Sequence, residues 1–177
     1  IQGVELAVQD TALELQDAGV ELSVHDLVLP TAAALPQALQ ELKAAQVGHV
    51  VADLPEPALR ELVRMAPAVL GEVMIFNTGL ADDGLRGYGC AASLLHTLPS
   101  RQMEADALAQ FLATRQWRKL LVLQGPQAAD LLMGQAWDRA VQRHGLETLE
   151  TRPFKLNGEA REREMANVRQ LTSAAGY

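Results

Sequence analysis

The feature that most constrains this chain is a repeated change of period: apolar runs of strand length alternate with stretches whose apolar residues recur every three or four positions. Val4, Val8, Ala12 and Leu15 share one helical face and Gly19 supplies a stop, so a helix is predicted from about Gly3 to Asp17. Val20 to His25 then alternates apolar and polar residues and Leu27-Val28-Leu29 runs into Pro30, which predicts a strand ending in a loop. Leu35, Ala38, Leu39 and Leu42 form the buried stripe of a helix entered near Pro36. The short run His49-Val50-Val51-Ala52 is a strand closed by Asp53-Leu54-Pro55.

The alternation continues to the end. A helix through Leu59–Val63 is followed by a strand at Val73-Met74-Ile75-Phe76, a loop at Asn77-Thr78-Gly79 and an irregular Gly-rich stretch to Cys90. Ser93 to Thr97 reads as a strand, and Ser100 is placed to cap a helix carrying Ala107, Leu108, Phe111 and Leu112 toward a core. Lys119 to Leu123 is the clearest strand, broken by Gln124-Gly125-Pro126. A helix with Ala136, Trp137, Ala140 and Val141 inward runs to Gly145, Leu146 to Phe154 returns as a strand, and a last helix spans roughly Glu159 to Ala174.

Strands alternating with helices of this length imply right-handed crossovers and mainly parallel sheets flanked by helices, the α/β class. In such sheets ligands sit beyond the carboxyl ends of the strands, where loops converge and helix N-termini present unpaired N–H groups. The loops after each strand are therefore where function is expected.

Composition removes several classes. Of 177 residues, 22 are acidic and 15 basic, for a net charge of -7, and the basic residues form no cluster beyond the mixed-sign Arg161-Glu162-Arg163-Glu164, read as a solvated helix face. Nucleic acid and anionic membrane are thereby disfavoured as partners. No apolar run approaches the roughly 20 residues that span a bilayer, so no membrane insertion is expected. Cys90 is the only cysteine, which excludes an internal disulfide and a Cys-based metal site within these residues.

Sequence motifs for common enzymes fail. The chain has no P-loop, no G-x-S-x-G elbow and no H-E-x-x-H helix. Gly87-Tyr88-Gly89-Cys90-Ala91-Ala92 fits a relaxed dinucleotide fingerprint, but it follows Asp82-Asp83-Gly84-Leu85-Arg86 rather than a strand and is read as a loop. His25, His49, His96 and His144 show no metal-binding helical spacing, so no metal is expected. Cys90 is read as a small buried apolar group, and Asp82-Asp83 as a turn with helix-capping carboxylates rather than a calcium loop.

Three segments in this order resemble the N-terminal lobe of the type I periplasmic solute-binding proteins of the branched-chain amino-acid kind. They are Gly3-Val4-Glu5-Leu6-Ala7-Val8-Gln9-Asp10, Val47-Gly48-His49-Val50-Val51-Ala52-Asp53, and Leu95-His96-Thr97-Leu98-Pro99-Ser100 leading into Ala107-Leu108-Ala109-Gln110-Phe111-Leu112. Lys119 to Pro126 resembles the first strand of that family's second lobe. Phe76-Asn77-Thr78-Gly79-Leu80-Ala81-Asp82-Asp83-Gly84-Leu85-Arg86-Gly87 and Leu94-Leu95-His96-Thr97-Leu98-Pro99-Ser100-Arg101 look closest to the branch encoded beside PQQ-dependent (quinoprotein) alcohol dehydrogenases.

The resemblance implies an N-terminal lobe over residues 1–116 and the start of a C-terminal lobe over 117–177. The family's first strand and the remainder of its second lobe are expected outside this chain, which opens Ile1-Gln2-Gly3 without a signal peptide. It implies a periplasmic, non-enzymatic protein without a cofactor. Such a protein binds a small solute in an interlobe cleft and partners an ABC permease or a quinoprotein dehydrogenase. By analogy with the family's strand-end loops, the cleft would be lined by Asp53, Leu54, Asn77, Thr78, Gly79, His96 and Gln124. The chain departs from the family's hydroxyl-rich carboxylate loop, having Asp53-Leu54-Pro55-Glu56 there, an acidic loop that would repel an amino-acid carboxylate. Two other readings stay open: a docking or sensing module with the same fold but no small ligand, and a small α/β enzyme using His96 with Asp53 or Cys90.

Overall fold

A computed structural model describes residues 2–156 and 163–173. Its elements run α1 (Gln2–Asp17), α2 (Leu35–Ala44), β1 (His49–Ala52), α3 (Glu56–Leu70), β2 (Met74–Asn77), β3 (Leu94–His96), α4 (Arg101–Thr114), β4 (Lys119–Gln124), α5 (Ala128–His144), β5 (Glu147–Pro153), α6 (Arg163–Ala166) and α7 (Val168–Thr172). From α2 to β5 the alternation read from the sequence is the order of the fold. The chain divides into two compact units, residues 1–77 with 92–95, and residues 78–91 with 96–177.

In the first unit β1, β2 and β3 form a three-stranded sheet in that order. β1 and β2 are parallel and in register from His49 opposite Met74 to Ala52 opposite Asn77, so their carboxyl ends finish level. Leu35 and Leu39 of α2, Leu59, Leu62 and Ala66 of α3, and Ile75 of β2 are buried, which is the helical stripe and strand alternation expected of a covered sheet. Gly19 ends α1 at a positive φ of 69°, while Val20 donates its N–H to Leu15.

The second unit holds a parallel pair, β4 and β5, with Leu149 the extra residue of an irregularity at Leu120/Leu121. Its core is small: Ala105 and Ala109 of α4 pack with Ala136, Ala140 and Val141 of α5 and with Leu146. Side chains of one methyl let two helices approach closely, so alanine at the contact is what a tight α4–α5 crossing requires.

Several expectations are corrected. Val20–Leu29 forms no strand: Val28 is 82% exposed, and no ladder partner occurs among the described residues, so alternation alone found nothing to pair with. On α4 the inward face is Ala105 and Ala109, whereas Ala107 is exposed and Leu108 and Phe111 are 51% and 48% exposed; of the four residues expected inward only Leu112 packs against that core. The close helix contact selects small residues over large ones. Cys90 is exposed rather than buried. The last helix is two short ones broken at Asn167, whose side chain accepts from the N–H of Gln170 and so starts α7 afresh. Residues 159–162 and 174, also assigned to that helix, lie outside the described residues.

Candidate ligand-binding site

In the first unit the candidate residues stand at the carboxyl ends of β1 and β2. Ala52 is buried, and Asp53 just beyond it is exposed with Leu54 half-buried. Pro55 then opens α3 at the N-cap position without a side-chain cap, and Pro57 occupies its second residue. Proline fixes φ for the first turn and has no N–H, so this turn is pre-shaped but short of donors. Glu56 at the first position accepts from Arg60 one turn on, at 2.8 Å. Asn77 closes β2 rather than opening the loop, and it is completely buried opposite Ala52. His49 and Phe76 stack across the two strands with ring centroids 6.3 Å apart.

In the second unit Thr78 and Gly79 are exposed at the start of the segment that runs through the short turn Asp83–Leu85. That segment is fastened to the start of α4. Arg86 donates to the carbonyls of Asp82, at 3.3 Å, and Leu98, and Arg101 donates to the carbonyl of Ala81. Asp83 accepts from the backbone N–H of Gln102 at 3.0 Å and from Arg139 of α5 at 3.3 Å, so the capping carboxylate expected in Asp82-Asp83 is Asp83. Ser100 caps α4 as predicted, its hydroxyl accepting from Met103. His96 is half-buried, and its imidazole is held below its ordinary pKa, first by loss of solvent and then by the Arg86 charge, against a backbone hydrogen bond at Leu85 that works the other way.

Gln124 is the last residue of β4, not part of the break that follows it. A Cβ on Gly134 of α5 would lie 2.8 Å from the Gln124 amide nitrogen, so the missing side chain at Gly134 is what admits that amide against the helix. Beside it a hollow of about 260 Å³ is lined by Gln124 with Leu131, Gln135, Trp137, Asp138 and Thr151. The Trp137 indole N–H is buried and without a hydrogen-bond partner. Sequence reasoning missed Gln135, Asp138 and Thr151. The available signal was that Gln135 and Asp138 are three apart on a helix whose other face is alanine.

Among the described residues no group of three His, Cys, Asp or Glu side chains is arranged to hold a metal, and no helix is long and apolar enough to cross a membrane. What the strand ends offer is hydrogen bonding: one exposed carboxylate, a hydroxyl, an amide and an imidazole held toward its neutral form.

Parallel strands flanked by helices define an α/β fold, and the solved structures it matches are those of solute-binding proteins. Among solved structures, an ABC transporter substrate-binding protein from Desulfitobacterium hafniense matches with a TM-score of 0.65 at 20% identity, over 88% of this chain and 46% of that one. The same organism's substrate-binding protein in complex with Leu gives 0.60 at 20% identity, over 88% and 46%. A solute-binding protein of an ABC transporter from R. palustris, in complex with benzoate, gives 0.57 at 12% identity, over 90% and 46%. This chain thus spans less than half the length of the proteins it resembles. No protein-family model and no curated protein sequence matches it.

Proposed function

We propose that this chain belongs to the substrate-binding component of an ABC transporter-like system, recognising a small solute without chemical conversion. The observation that carries the reading is the fold: nearly nine-tenths of the chain follows the path of a solute-binding protein. In the first unit the ligand-contacting residues are Asp53 and Leu54, with Asn77 ordering the strand end behind them. In the second they are Thr78, Gly79, His96 and Gln124. Asp53 accepts from a hydroxyl or a cation, and Gln124 offers an amide that can both donate and accept.

The same reading carries the division into lobes at 116/117, a periplasmic location and an ABC permease as partner. The finer assignment, to a branch serving PQQ-dependent alcohol oxidation with a quinoprotein dehydrogenase alongside, is supported by the segments around Asn77 and His96 alone. The solute-binding neighbours bind, by their descriptions, Leu and benzoate. The test is thermal unfolding of the full-length gene product against a panel of alcohols with their aldehydes and acids, amino acids, PQQ and metal ions. A solute at a hundredfold over its Kd adds about 2.7 kcal/mol to stability. Loss of that shift in Asp53→Ala assigns the site, and silence across the panel overturns the reading.

A further inference from the structure

Resting on that solute-binding reading, we infer that the second unit holds its ligand in the hollow beside α5 and that this ligand is a small polyol. Residues of this one unit carry the argument. In parallel α/β sheets ligands gather at the carboxyl ends of the strands. The hollow lies there: Gln124 is the last residue of β4, and Thr151 of β5 stands opposite Val122.

Unspent hydrogen-bonding capacity sets this hollow apart. Elsewhere in the unit the polar side chains near the strand ends serve the chain itself. Asp83 and Ser100 accept from N–H groups of α4, Asp130 accepts from that of Gln127, and Arg86 and Arg139 donate to groups around them. By contrast Gln124, Gln135, Trp137, Asp138 and Thr151 line the hollow, and among the described residues none of their side chains forms a hydrogen bond.

Two of these groups are more than solvated surface. The Trp137 indole N–H is buried, and a buried donor without a partner is costly and rare in folded proteins, so it calls for an acceptor. The half-buried Gln124 amide lies against α5 only because residue 134 is glycine, where a Cβ would fall 2.8 Å from the amide nitrogen. A recess is thus kept open for an amide that the chain does not bond.

The five groups together select the ligand. Trp137 can only donate, the Asp138 carboxylate can only accept, and Gln124, Gln135 and Thr151 do both. A hydroxyl answers all three kinds, because one oxygen both donates and accepts. Several hydroxyls on one compact frame match several such groups, and about 260 Å³ limits that frame to a small molecule. Val122, Leu131 and the Trp137 ring supply the apolar wall for its carbons. Asp138 is the one charged residue of the lining, and a carboxylate is a stronger acceptor toward a hydroxyl than a neutral oxygen is.

Nitrogen-15 NMR of the full-length protein tests this through the Trp137 indole N–H, whose peak is assigned by its loss in Trp137→Phe. The probes are glycerol, erythritol and xylitol, with ethanolamine and propionate as amine and acid counterparts. At least one polyol is expected to move the Trp137 peak saturably. Asp138→Ala and Thr151→Val, both at exposed positions and with the fold checked by circular dichroism, are each expected to weaken that polyol by about threefold or more. The inference is overturned if no polyol moves the peak, if only the amine or the acid does, or if both variants keep the full polyol affinity. A solute of the thermal panel that binds and leaves Trp137 unmoved also overturns it, while the solute-binding reading stands. Silence from the panel and the polyols alike overturns both.

Discussion

Removing Asp83 should cost α4 its resident anion, and the size of the loss follows from what the carboxylate touches. One oxygen accepts from the N–H of Gln102 at 3.0 Å, inside the first turn of α4. Losing a side-chain acceptor at a helix start costs about 1 kcal/mol, and losing a negative charge there costs roughly a further 0.3–1 kcal/mol. The other oxygen meets Arg139 at 3.3 Å, with both side chains substantially exposed, so that pair adds at most about 0.5–1 kcal/mol after screening. Arg139 keeps a second partner, since it also donates to Gln102 at 2.6 Å. Asp83→Ala should therefore destabilise by about 2 kcal/mol, and Asp83→Asn, which keeps an oxygen acceptor without the charge, by about 1 kcal/mol. Urea unfolding followed by circular dichroism reads this as a lowered midpoint at unchanged slope, close to 1 M for Asp83→Ala at a slope of about 2 kcal/mol/M. Three variants, including Asp83→Ala with Arg139→Ala, separate the cap from the ion pair. The reasoning is refuted if Asp83→Ala shifts stability by less than about 0.5 kcal/mol, or if Asp83→Asn matches the wild type.

The other predictions are smaller. Gly125→Ala should displace the Asp130 carboxylate 2.2 Å away and cost about 1 kcal/mol, with no added cost in an Asp130→Ala background, as a double-mutant cycle in urea would show. Because His96 has its pKa lowered from 6.5 in the folded state, the unfolded chain binds its proton first, so this residue's contribution is full above about 6.5 and is lost as pH falls through the folded value. Melting temperatures between pH 5 and 8 should fall less steeply on the acid side in His96→Gln, and an unchanged slope counts against the assignment. Gly134→Ala gains about 1 kcal/mol of helix propensity but puts a methyl 2.8 Å from the Gln124 amide. It should leave the melting temperature level or higher while weakening any ligand that uses Gln124, as titration of both proteins would detect.

Much of the architecture was legible because period reports directly on which face is covered. Leu35, Leu39 and Leu59 fall where a helical stripe puts them, and Ser100 and Asp83 cap α4 because short polar side chains ahead of a helix have few better uses. Failures came where partners decide. Val20–Leu29 alternates well, but a strand exists only through its ladder, and none of the described residues supplies one. Leu108 and Phe111 were assigned inward by size, while the α4–α5 crossing takes Ala105 and Ala109, a preference visible only once the facing surface of α5 is known. At the candidate site, strand ends located Asp53, Asn77 and Gln124, but not that Asn77 is fully buried or that Gly134 makes room for the Gln124 amide.

Those misses share a cause with the functional argument. A polar residue near a helix start can serve the chain or serve a ligand, and the sequence shows only that it is there. Asp83, Ser100 and Asp130 all stand in loops or first turns where an open site is expected, yet Asp83 and Ser100 are committed to N–H groups of α4 and Asp130 to that of Gln127, the N-cap of α5. At α4 the first-turn N–H groups of Arg101, Gln102, Met103 and Glu104 all have acceptors within the chain, so an anion there gains little against its desolvation cost. A neutral hydroxyl or amide faces a smaller desolvation cost and needs only one or two well-placed partners. Asp53, by contrast, is held toward solvent and Gln124 lines the hollow beside α5, so under the proposed function these are polar groups that a solute would meet.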